Sequence, residues 1–301
     1  MAKIFLLGGT GLIGQRLQAY LTSMNHDVTV YHRRQKTSAI RIPDKENKPR
    51  PFHGAIQALT FENFDVVINL AGANIFDSRW SKTRRQEIID SRVSFTRQIV
   101  TAMNELPAGR RPKKLINASA VGFYGTAWTK AFDESSPVGQ DFLANLCSDW
   151  EKEALKFSGE TTIARLGIVL STQGGMLGKL LPQYKCFLGG KLDSGKQWLS
   201  WIHIEDAVRA IEFLIGSAPG VFNLVAPHCI RQEFFAKELS KILHRKAFLN
   251  TPEILLRMVL GERATYLITG QKVLPNRLLK EGFEFKHGQL NNALNHLIYN
   301  S

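Results

Sequence analysis

Apolar and polar positions near the start of the chain change from a strand pattern to a helix pattern and back. Residues 3–8 form a short apolar run, residues 12–24 place apolar side chains at helical spacing, and residues 27–32 alternate between apolar and polar. The pattern predicts a strand, a helix and a second strand, which together make a βαβ unit.

The alternation continues as far as residue 166, after a polar, proline-bearing stretch at 41–51. Buried strands and helices are predicted in turn along this part of the chain. The predicted strands are 65–70, 114–118 and 161–165, and the predicted helices are 81–103 and 142–157. Strands that alternate with helices favour a Rossmann-type α/β fold with a parallel, doubly wound sheet.

Beyond residue 166 the pattern changes. Glycine pairs at 174–175 and 189–190 are followed by short helices and few strands, which predicts a smaller, mostly helical lobe on the substrate side. A helix at 205–216 and a strand at 220–224 are compatible with a return to the main sheet, so the two lobes need not be separable in sequence.

Composition narrows the class of protein. The chain has 301 residues, of which 44% are hydrophobic and 22% charged, as in ordinary globular domains. Its apolar runs are strand-length, far short of the roughly 20 residues that cross a bilayer, so no membrane span is expected. The first residues pass directly into a strand and leave no room for a signal peptide. Three widely spaced cysteines fit a reducing compartment, and we expect a cytoplasmic protein.

The net charge of +13 is compatible with nucleic acid, anionic lipid or a phosphorylated small molecule as a partner. Basic residues are dense at 33–36, 110–114 and 241–246. These stretches lack the aromatic residues of an RNA-binding sheet and the form of a basic recognition helix. The sequence therefore argues against nucleic-acid binding and favours a small-molecule substrate of unknown identity. The sequence is also compatible with a homodimer.

A glycine-rich turn lies between the first strand and the first helix, at residues 8–14. Gly8 and Gly9 permit the tight turn, Gly11 lets a pyrophosphate approach the backbone, and Gly14 lets helix and strand pack closely. The helix N-terminus adds free N–H groups and a partial positive charge. We expect a dinucleotide here, and the alternative is a structural turn without ligand. The residues predicted to contact the cofactor are Gly8, Thr10, Gly11, Leu12, Ile13 and Gly14.

The end of the second predicted strand indicates which dinucleotide is bound. An NAD-selective site places an acid there to bond the ribose hydroxyls. This chain has Arg33 and Arg34 instead, and guanidinium groups match a 2′-phosphate bidentately. The alternative is an exposed basic strand end, because Lys36 makes the loop basic in any case. We predict NADP(H) as the cofactor.

Several further motifs resemble the extended short-chain dehydrogenase/reductase superfamily, and within it the atypical, epimerase-like branch with a dedicated C-terminal domain. They are Asn-Leu-Ala-Gly at 69–72, Asn-Ala-Ser-Ala-Val-Gly-Phe-Tyr-Gly at 117–125, Asp-Trp-Glu at 149–151, Trp-Ile-His-Ile-Glu-Asp at 201–206 and Gly-Gln-Lys-Val-Leu-Pro at 270–275. The resemblance implies a nucleotide-binding domain at 1–225 and a C-terminal domain at 248–296, part of the substrate lobe.

The resemblance also implies positions for the cofactor. Leu70, Ala71 and Gly72 would line its adenine and ribose side, and residues 165–168, with Ile168, would approach the nicotinamide half. Arg92 stands where an asparagine is usual, and two interpretations stay open: a donor that reaches a cofactor phosphate, or a surface arginine of the helix.

The superfamily's usual catalytic pair, Tyr-x-x-x-Lys, is missing. Aligning Glu151 with the glutamate that commonly ends this motif places Leu143 at the tyrosine position and Cys147 at the lysine position. Leucine has no exchangeable proton, and cysteine carries no permanent positive charge that would lower a neighbour's pKa. Ser119 remains in place to orient a substrate, and Tyr124 is a candidate proton donor that is alternatively a packing residue.

Two other side chains could be reactive, but the sequence favours a structural role for each. Cys147 as a nucleophile needs a base or a positive field nearby, so a buried helix cysteine is the better interpretation. His203 is a candidate acid or base, and the resemblance implies that it mainly braces the fold.

Two functional hypotheses follow. The first is an NADP(H)-dependent oxidoreductase-like or epimerase-like enzyme, in which Ser119 orients the substrate and Tyr124 or a water replaces the missing tyrosine. The second is a catalytically weak or inactive NADP(H)-binding protein with a regulatory or scaffold role, and the missing pair motivates it. Loop geometry decides substrate specificity, so the sequence does not identify the substrate.

Overall fold

The computed structural model describes residues 1–31, 50–52, 56–246 and 249–300. Arg33 and Arg34, which the sequence assigns to the 2′-phosphate, lie outside the described residues. In the described ranges, no helix is both long and apolar enough to cross a lipid bilayer.

The strands fall into one large sheet and four short two-stranded pairings. In chain order they are β1 (Lys3–Leu7), β2 (Asp27–Tyr31), β3 (Arg50–Phe52), β4 (Val66–Asn69), β5 (Lys114–Ala120), β6 (Ala131–Phe132), β7 (Glu160–Leu166), β8 (Ile168–Leu170), β9 (Gly190–Leu192), β10 (Trp198–Leu199), β11 (Trp201–His203), β12 (Gly220–Leu224), β13 (Ile230–Arg231), β14 (Leu249–Thr251) and β15 (Lys272–Val273).

The helices surround this sheet and build the C-terminal lobe. They are α1 (Leu12–Ser23), α2 (Lys82–Ile89), α3 (Phe95–Asn104), α4 (Phe142–Ala154), α5 (Gly175–Lys185), α6 (Ile204–Gly216), α7 (Gln232–Ile242), α8 (Glu253–Leu260), α9 (Thr265–Ile268), α10 (Asn276–Lys280) and α11 (Leu290–Tyr299).

The large sheet has the order β12-β7-β5-β4-β1-β2-β3, and every neighbouring pair is parallel. Alternate residues of β1 point to opposite faces, as the pleat requires. Ile4 and Leu6 pack with residues of α1 and α6, whereas Phe5 and Leu7 pack with residues of α3. Helices therefore cover both faces, which confirms the predicted doubly wound Rossmann architecture.

The predicted strand at 220–224 does return to the main sheet, where β12 pairs with β7 at one edge. At the other edge, β3 pairs with β2. The sequence pattern predicts no strand in this stretch. Pro51 interrupts the apolar pattern there, and a proline that cannot donate to a ladder is tolerated in an edge strand. The short pairings of the C-terminal lobe were also missed, because two or three residues are too few to show a strand period.

The predicted helix at 81–103 is divided in the structure. A π-helical turn at Asp90–Ser94 separates α2 from α3. Such a turn inserts an extra residue into the helix and shifts the face that the following side chains present. The apolar pattern on both sides of it stays helical, so the pattern alone does not reveal it.

The C-terminal lobe is joined to the nucleotide-binding domain by a segment at 270–275. β15 pairs with β6, the Gln271 side chain donates to the Val121 carbonyl, and Ser200 Oγ donates to the Gln271 carbonyl at 2.7 Å. A Cβ atom at Gly270 would lie 2.1 Å from the Trp198 carbonyl oxygen. The backbone of this segment is therefore packed directly against the rest of the molecule.

A buried lysine holds the end of α6 against the sheet. Lys114 opens β5 and is only 5% exposed. Its Nζ donates to the carbonyls of Leu214 and Ile215 at 3.3 and 3.1 Å, and also to that of Ser217. A cation at a helix C-terminus is favourable because the last carbonyls have no partners inside the helix.

Lys114→Met is expected to lower the free energy of unfolding by about 1–3 kcal/mol, since it leaves these carbonyls without a charged donor. The control is Lys113→Met at the adjacent, exposed position, for which a change within about 0.5 kcal/mol is expected. Urea unfolding followed by circular dichroism measures both. Equal midpoints for the two variants would contradict the role assigned to Lys114.

Candidate cofactor and substrate site

The carboxyl ends of β1, β4, β5 and β7 meet at one edge of the sheet. Asn69 on β4 lies beside Asn117 on β5, and Ser119 lies beside Arg165 on β7. Asn69 Nδ2 donates to Asn117 Oδ1 at 2.7 Å, so the two asparagine motifs are joined directly. In open α/β sheets this edge is where ligands bind.

The glycine turn packs as the sequence predicts at Gly8 and Gly14, where another part of the backbone lies close by. Gly8 has φ +80°, and a Cβ atom there would lie 2.6 Å from the carbonyl carbon of Leu70. A Cβ atom at Gly14 would lie 2.2 Å from the Gly8 carbonyl oxygen. Both glycines are required because backbone segments touch at these points.

Gly11 differs from these two glycines. The nearest protein atom to a Cβ there is the Gly8 carbonyl oxygen at 3.4 Å, and φ is −78°. An alanine fits this position without strain, so the fold alone does not explain the glycine. Gly11 is also the N-cap of α1, which has no side-chain cap. The first N–H groups of this helix are therefore suited to an anion that approaches closely.

The other residues predicted in the turn have different surroundings. Thr10 is exposed, and its carbonyl accepts a hydrogen bond from Gln15. The Leu12 side chain packs against Gly174, where a Cβ atom would lie 3.4 Å away. Ile13 is partly buried between two hydrophobic clusters. Of these three residues, Thr10 is the one that faces solvent.

The loop after β4 lies next to the glycine turn, and Arg92 covers it. A Cβ atom at Gly72 would lie 3.0 Å from the Arg92 guanidinium carbon. The guanidinium carbon also lies 5.3 Å from the centre of the Trp150 ring. Arg92 makes no ion pair with any carboxylate in the described ranges, and its burial lowers its pKa. A half-buried guanidinium without a carboxylate partner is suited to bind a phosphate.

The π-helical turn positions this arginine. Ser91, within the turn, accepts a hydrogen bond from the Ala73 N–H at 3.0 Å and donates to the Ile88 carbonyl at 2.9 Å. The serine thus ties the helix to the loop after β4, and Arg92 follows it directly. The structure therefore places Arg92 beside Gly72, in the loop after β4, and its contact with a cofactor phosphate stays a prediction.

Ser119 is part of a buried ion-pair network. Its hydroxyl donates to Glu151 Oε1 at 2.6 Å. Arg165 donates to the same carboxylate through Nε at 2.9 Å and Nη2 at 2.8 Å. Ser119, Glu151 and Arg165 are 3–5% exposed. A two-pronged contact of this kind is the strongest form of charge-assisted hydrogen bonding between side chains.

Tyr124 extends the network toward the C-terminal lobe. Its hydroxyl accepts a hydrogen bond from Arg165 Nη1 at 2.8 Å and donates to Asn223 Oδ1 at 2.7 Å. Asn223 Nδ2 in turn donates to the Leu274 carbonyl. Burial raises the pKa of Tyr124 to about 12, so the phenol keeps its proton at neutral pH. In this arrangement Tyr124 orients Arg165, and its predicted part in proton transfer stays a prediction.

Leu143 and Cys147 both lie beside Gly122, in the turn that follows β5. A Cβ atom at Gly122 would lie 3.5 Å from Leu143 Cβ and 4.0 Å from Cys147 Sγ. Burial, followed by the charge of Glu151, raises the pKa of Cys147 to about 12. Cys147 is 4% exposed, which confirms that it is a buried helix cysteine, and the raised pKa disfavours the reactive thiolate.

Two predicted positions lie beyond this network. Ile168 begins β8, and its N–H donates to the Ser200 carbonyl at 2.8 Å. His203 is completely buried, and its Nδ1 accepts a hydrogen bond from the Glu205 N–H at the start of α6. Burial, with a contribution from His287, lowers the pKa of His203 to about 3. His203 is therefore a neutral brace for the fold.

The sequence missed Glu151 and Asn223 as members of the network. A signal was available for the ion pair, because Arg165 interrupts an otherwise uncharged strand interior and a buried arginine needs a carboxylate partner. Asn223 gave no comparable signal, since a single amide in an edge strand carries no charge that demands a partner.

Glu151→Gln is expected to lower the free energy of unfolding by about 3–5 kcal/mol, because it leaves the Arg165 charge buried without a counterion. Glu153→Gln on the same helix is the matched control. Its partners, Arg97 and Lys156, are largely exposed, so a loss below about 1 kcal/mol is expected. Chemical unfolding measures both, and equal losses would contradict a central role for the Glu151 pair.

Comparisons with known proteins agree with this architecture. The family model described as "NAD dependent epimerase/dehydratase family" matches residues 4–224, and a second model, a domain of unknown function (DUF1731), matches residues 251–297. The human epimerase family protein SDR39U1, solved with NADPH, superimposes with a TM-score of 0.89 at 30% identity, covering 99% of this chain and 100% of that chain.

Two relatives extend the similarity along nearly the whole sequence. The chain is 40% identical to the chloroplastic SDR39U1 homologue of Arabidopsis thaliana, with 97% of this chain and 85% of that protein covered. It is 36% identical to the epimerase family protein YfhF of Bacillus subtilis, with 98% of each chain covered. The chain therefore belongs to the NAD dependent epimerase/dehydratase family.

Proposed function

We propose that this protein binds NADP(H) at the carboxyl edge of its sheet and acts on a small molecule of unknown identity in an epimerase-like or oxidoreductase-like reaction. One observation carries the proposal: Gly11 is a glycine that the fold does not require, at the uncapped N-terminus of α1. A backbone left open in this way suits a pyrophosphate. The NADPH in the human relative's structure supports the choice of cofactor.

The cofactor would be held by the glycine turn, by the loop after β4 and by arginine side chains. The turn from Gly8 to Gly14 would bind the pyrophosphate, and the loop from Leu70 to Gly72 would line the adenine and ribose. Arg92 would add a cation, because its guanidinium already covers Gly72 and has no carboxylate partner in the described residues. Arg33 and Arg34 would bind the 2′-phosphate. When bound, NADP(H) supplies hydride transfer.

Side chains of the protein would orient the substrate and exchange a proton with it. Ser119 is the predicted contact for a substrate carbonyl or hydroxyl. To donate to a carbonyl it would have to release Glu151, because its one proton is donated to that carboxylate, whereas its oxygen could accept from a substrate hydroxyl without this exchange. Tyr124 is the predicted proton donor, and it would likewise have to release Asn223. The alternative donor is a bound water, which would supply the proton in place of Tyr124.

A second candidate function rests on the same hydrogen bonds. Leu143 and Cys147 cannot exchange a proton at neutral pH, and both Ser119 and Tyr124 already donate to protein groups. A regulator that responds to the redox state of NADP(H) needs the cofactor site but no group that exchanges a proton with a substrate. NADPH consumption with a panel of carbonyl and sugar-nucleotide substrates supports the enzyme. A partner retained with NADPH and released with NADP⁺, without turnover, supports the regulator.

Gly11→Ala tests the cofactor site directly. The variant is expected to unfold at the wild-type temperature but to bind NADPH at least about tenfold more weakly, because a methyl group enters the space of the pyrophosphate. Titration calorimetry and thermal unfolding measure the two effects. Gly216→Ala, at another uncrowded glycine, is the control and should change neither. Wild-type NADPH affinity in Gly11→Ala would refute the proposed site.

The double variant Arg33→Ala/Arg34→Ala tests the choice between NADP(H) and NAD(H). Loss of the charged donors is expected to weaken NADPH binding by about tenfold or more and to leave NADH binding nearly unchanged, since NADH has no 2′-phosphate. Lys36→Ala, in the same basic stretch, is the control and should preserve the preference for NADPH. A parallel loss of both affinities would show that the two arginines do not recognise the 2′-phosphate.

A further inference from the structure

Three histidines and a glutamate come together at the start of α6. The cluster consists of His203, Glu205, His287 and His296, and one ligand atom from each lies within 4.8 Å of the other three. We propose that this cluster is a binding site for a divalent transition-metal ion of the zinc type.

The separations within the cluster suit such an ion. His203 Nε2 lies 3.2 Å from His296 Nδ1, and His287 Nε2 lies 3.3 Å from Glu205 Oε2. Ligand atoms about 2.0–2.1 Å from a tetrahedral zinc ion are about 3.3–3.4 Å from one another. Both distances are therefore close to the separation of two ligand atoms on a tetrahedral zinc ion. Imidazole nitrogens with one carboxylate are also a common ligand set for zinc.

Neighbouring groups hold two of the four ligands in place. Glu205 Oε1 accepts a hydrogen bond from Arg16 on α1 at 3.0 Å, which leaves Oε2 to face the histidines. The Asp206 carboxylate accepts hydrogen bonds from the N–H groups of Lys286 and His287 at 2.9 and 2.8 Å, which fixes the backbone that carries His287. Support of the ligands by surrounding hydrogen bonds is typical of metal sites.

The rings are also packed on one another. The His203 and His287 rings stack with centres 3.9 Å apart, and the His287 and His296 centres are 4.3 Å apart. His203 is fully buried, and the His287 side chain is 13% exposed. The three rings therefore form one compact, largely enclosed group, and imidazole is the commonest metal ligand among the side chains.

One hydrogen bond must change when the ion binds. His203 Nδ1 accepts from the Glu205 N–H, so the ring proton of His203 lies on Nε2 and is donated to His296 Nδ1. Coordination by His203 Nε2 displaces this proton and gives up the cap of α6. The loss of one helix cap is small beside the free energy of forming a metal site.

The position of the cluster gives the ion a structural role. His203 and Glu205 belong to the segment matched by the epimerase model, whereas His287 and His296 belong to the segment matched by the C-terminal model. A bound ion would therefore join the C-terminal segment to the nucleotide-binding domain by coordination bonds.

Zinc binding by the full-length, untagged protein tests the proposal. After dialysis against a chelator, titration with Zn²⁺ is expected to give one ion per chain and to raise the unfolding temperature, because zinc binds the folded state alone. His287→Ala and His296→Ala are each expected to bind Zn²⁺ at least about tenfold more weakly and to lose the stabilisation. His228→Ala, at an exposed histidine outside the cluster, should behave as wild type.

Cobalt substitution gives a second, spectroscopic measurement. Co²⁺ in the wild-type protein should show the visible absorption of a four-coordinate ion, and His296→Gln, which keeps a polar side chain on α11, should lose it. Failure of the wild type to bind Zn²⁺ or Co²⁺ would overturn the proposal and leave a hydrogen-bonded histidine cluster. Unchanged affinity in both alanine variants would also overturn it, since the ion would then lie elsewhere.

Discussion

Direct backbone contact at Gly8 is the constraint on which the geometry of the sheet edge depends. Leu70 approaches Gly8 from β4, and Gly14 presses the first turn of α1 onto the Gly8 carbonyl, with no room for a Cβ atom at either glycine. Because three segments are fixed together here, the N-terminus of α1 points across the edge beside the loop that Arg92 covers. Both the opening at Gly11 and the buried network on β5 and β7 are placed relative to this contact.

Much of this edge could be predicted because its physical causes are local in sequence. The periodicity of residues 3–32 and the glycine spacing gave the βαβ unit and the turn, and the order of strands and helices gave the sheet. The π-helical turn at Asp90–Ser94 and the short strands of the C-terminal lobe could not be seen in this way. Their side chains carry no periodic signal, and tertiary contacts decide them. The meeting of His203 with His287 and His296 likewise needs the fold.

The buried ion pair accounts for how the edge differs from the family's usual catalytic site. With Leu143 and Cys147 in place of tyrosine and lysine, the permanent cation nearest Ser119 in the described network is Arg165, which is neutralised by Glu151. A neutralised pair stabilises structure well but leaves little field to lower a neighbouring pKa. Burial raises the pKa of Tyr124, and the nearby Arg165 opposes this shift without cancelling it.

The segment at 270–275 has a consequence for how the molecule is made. Asn223 donates a hydrogen bond to the Leu274 carbonyl, and β6 pairs with β15. The polar network at the sheet edge is therefore completed by residues that follow most of the sheet in the chain. A nascent chain that includes Asn223 but not residues 270–275 has a sheet whose polar network still lacks the Leu274 carbonyl. This edge therefore cannot complete its packing until residues 270–275 have been made, whereas β1 and β2 can pair as soon as residues 1–31 have been made.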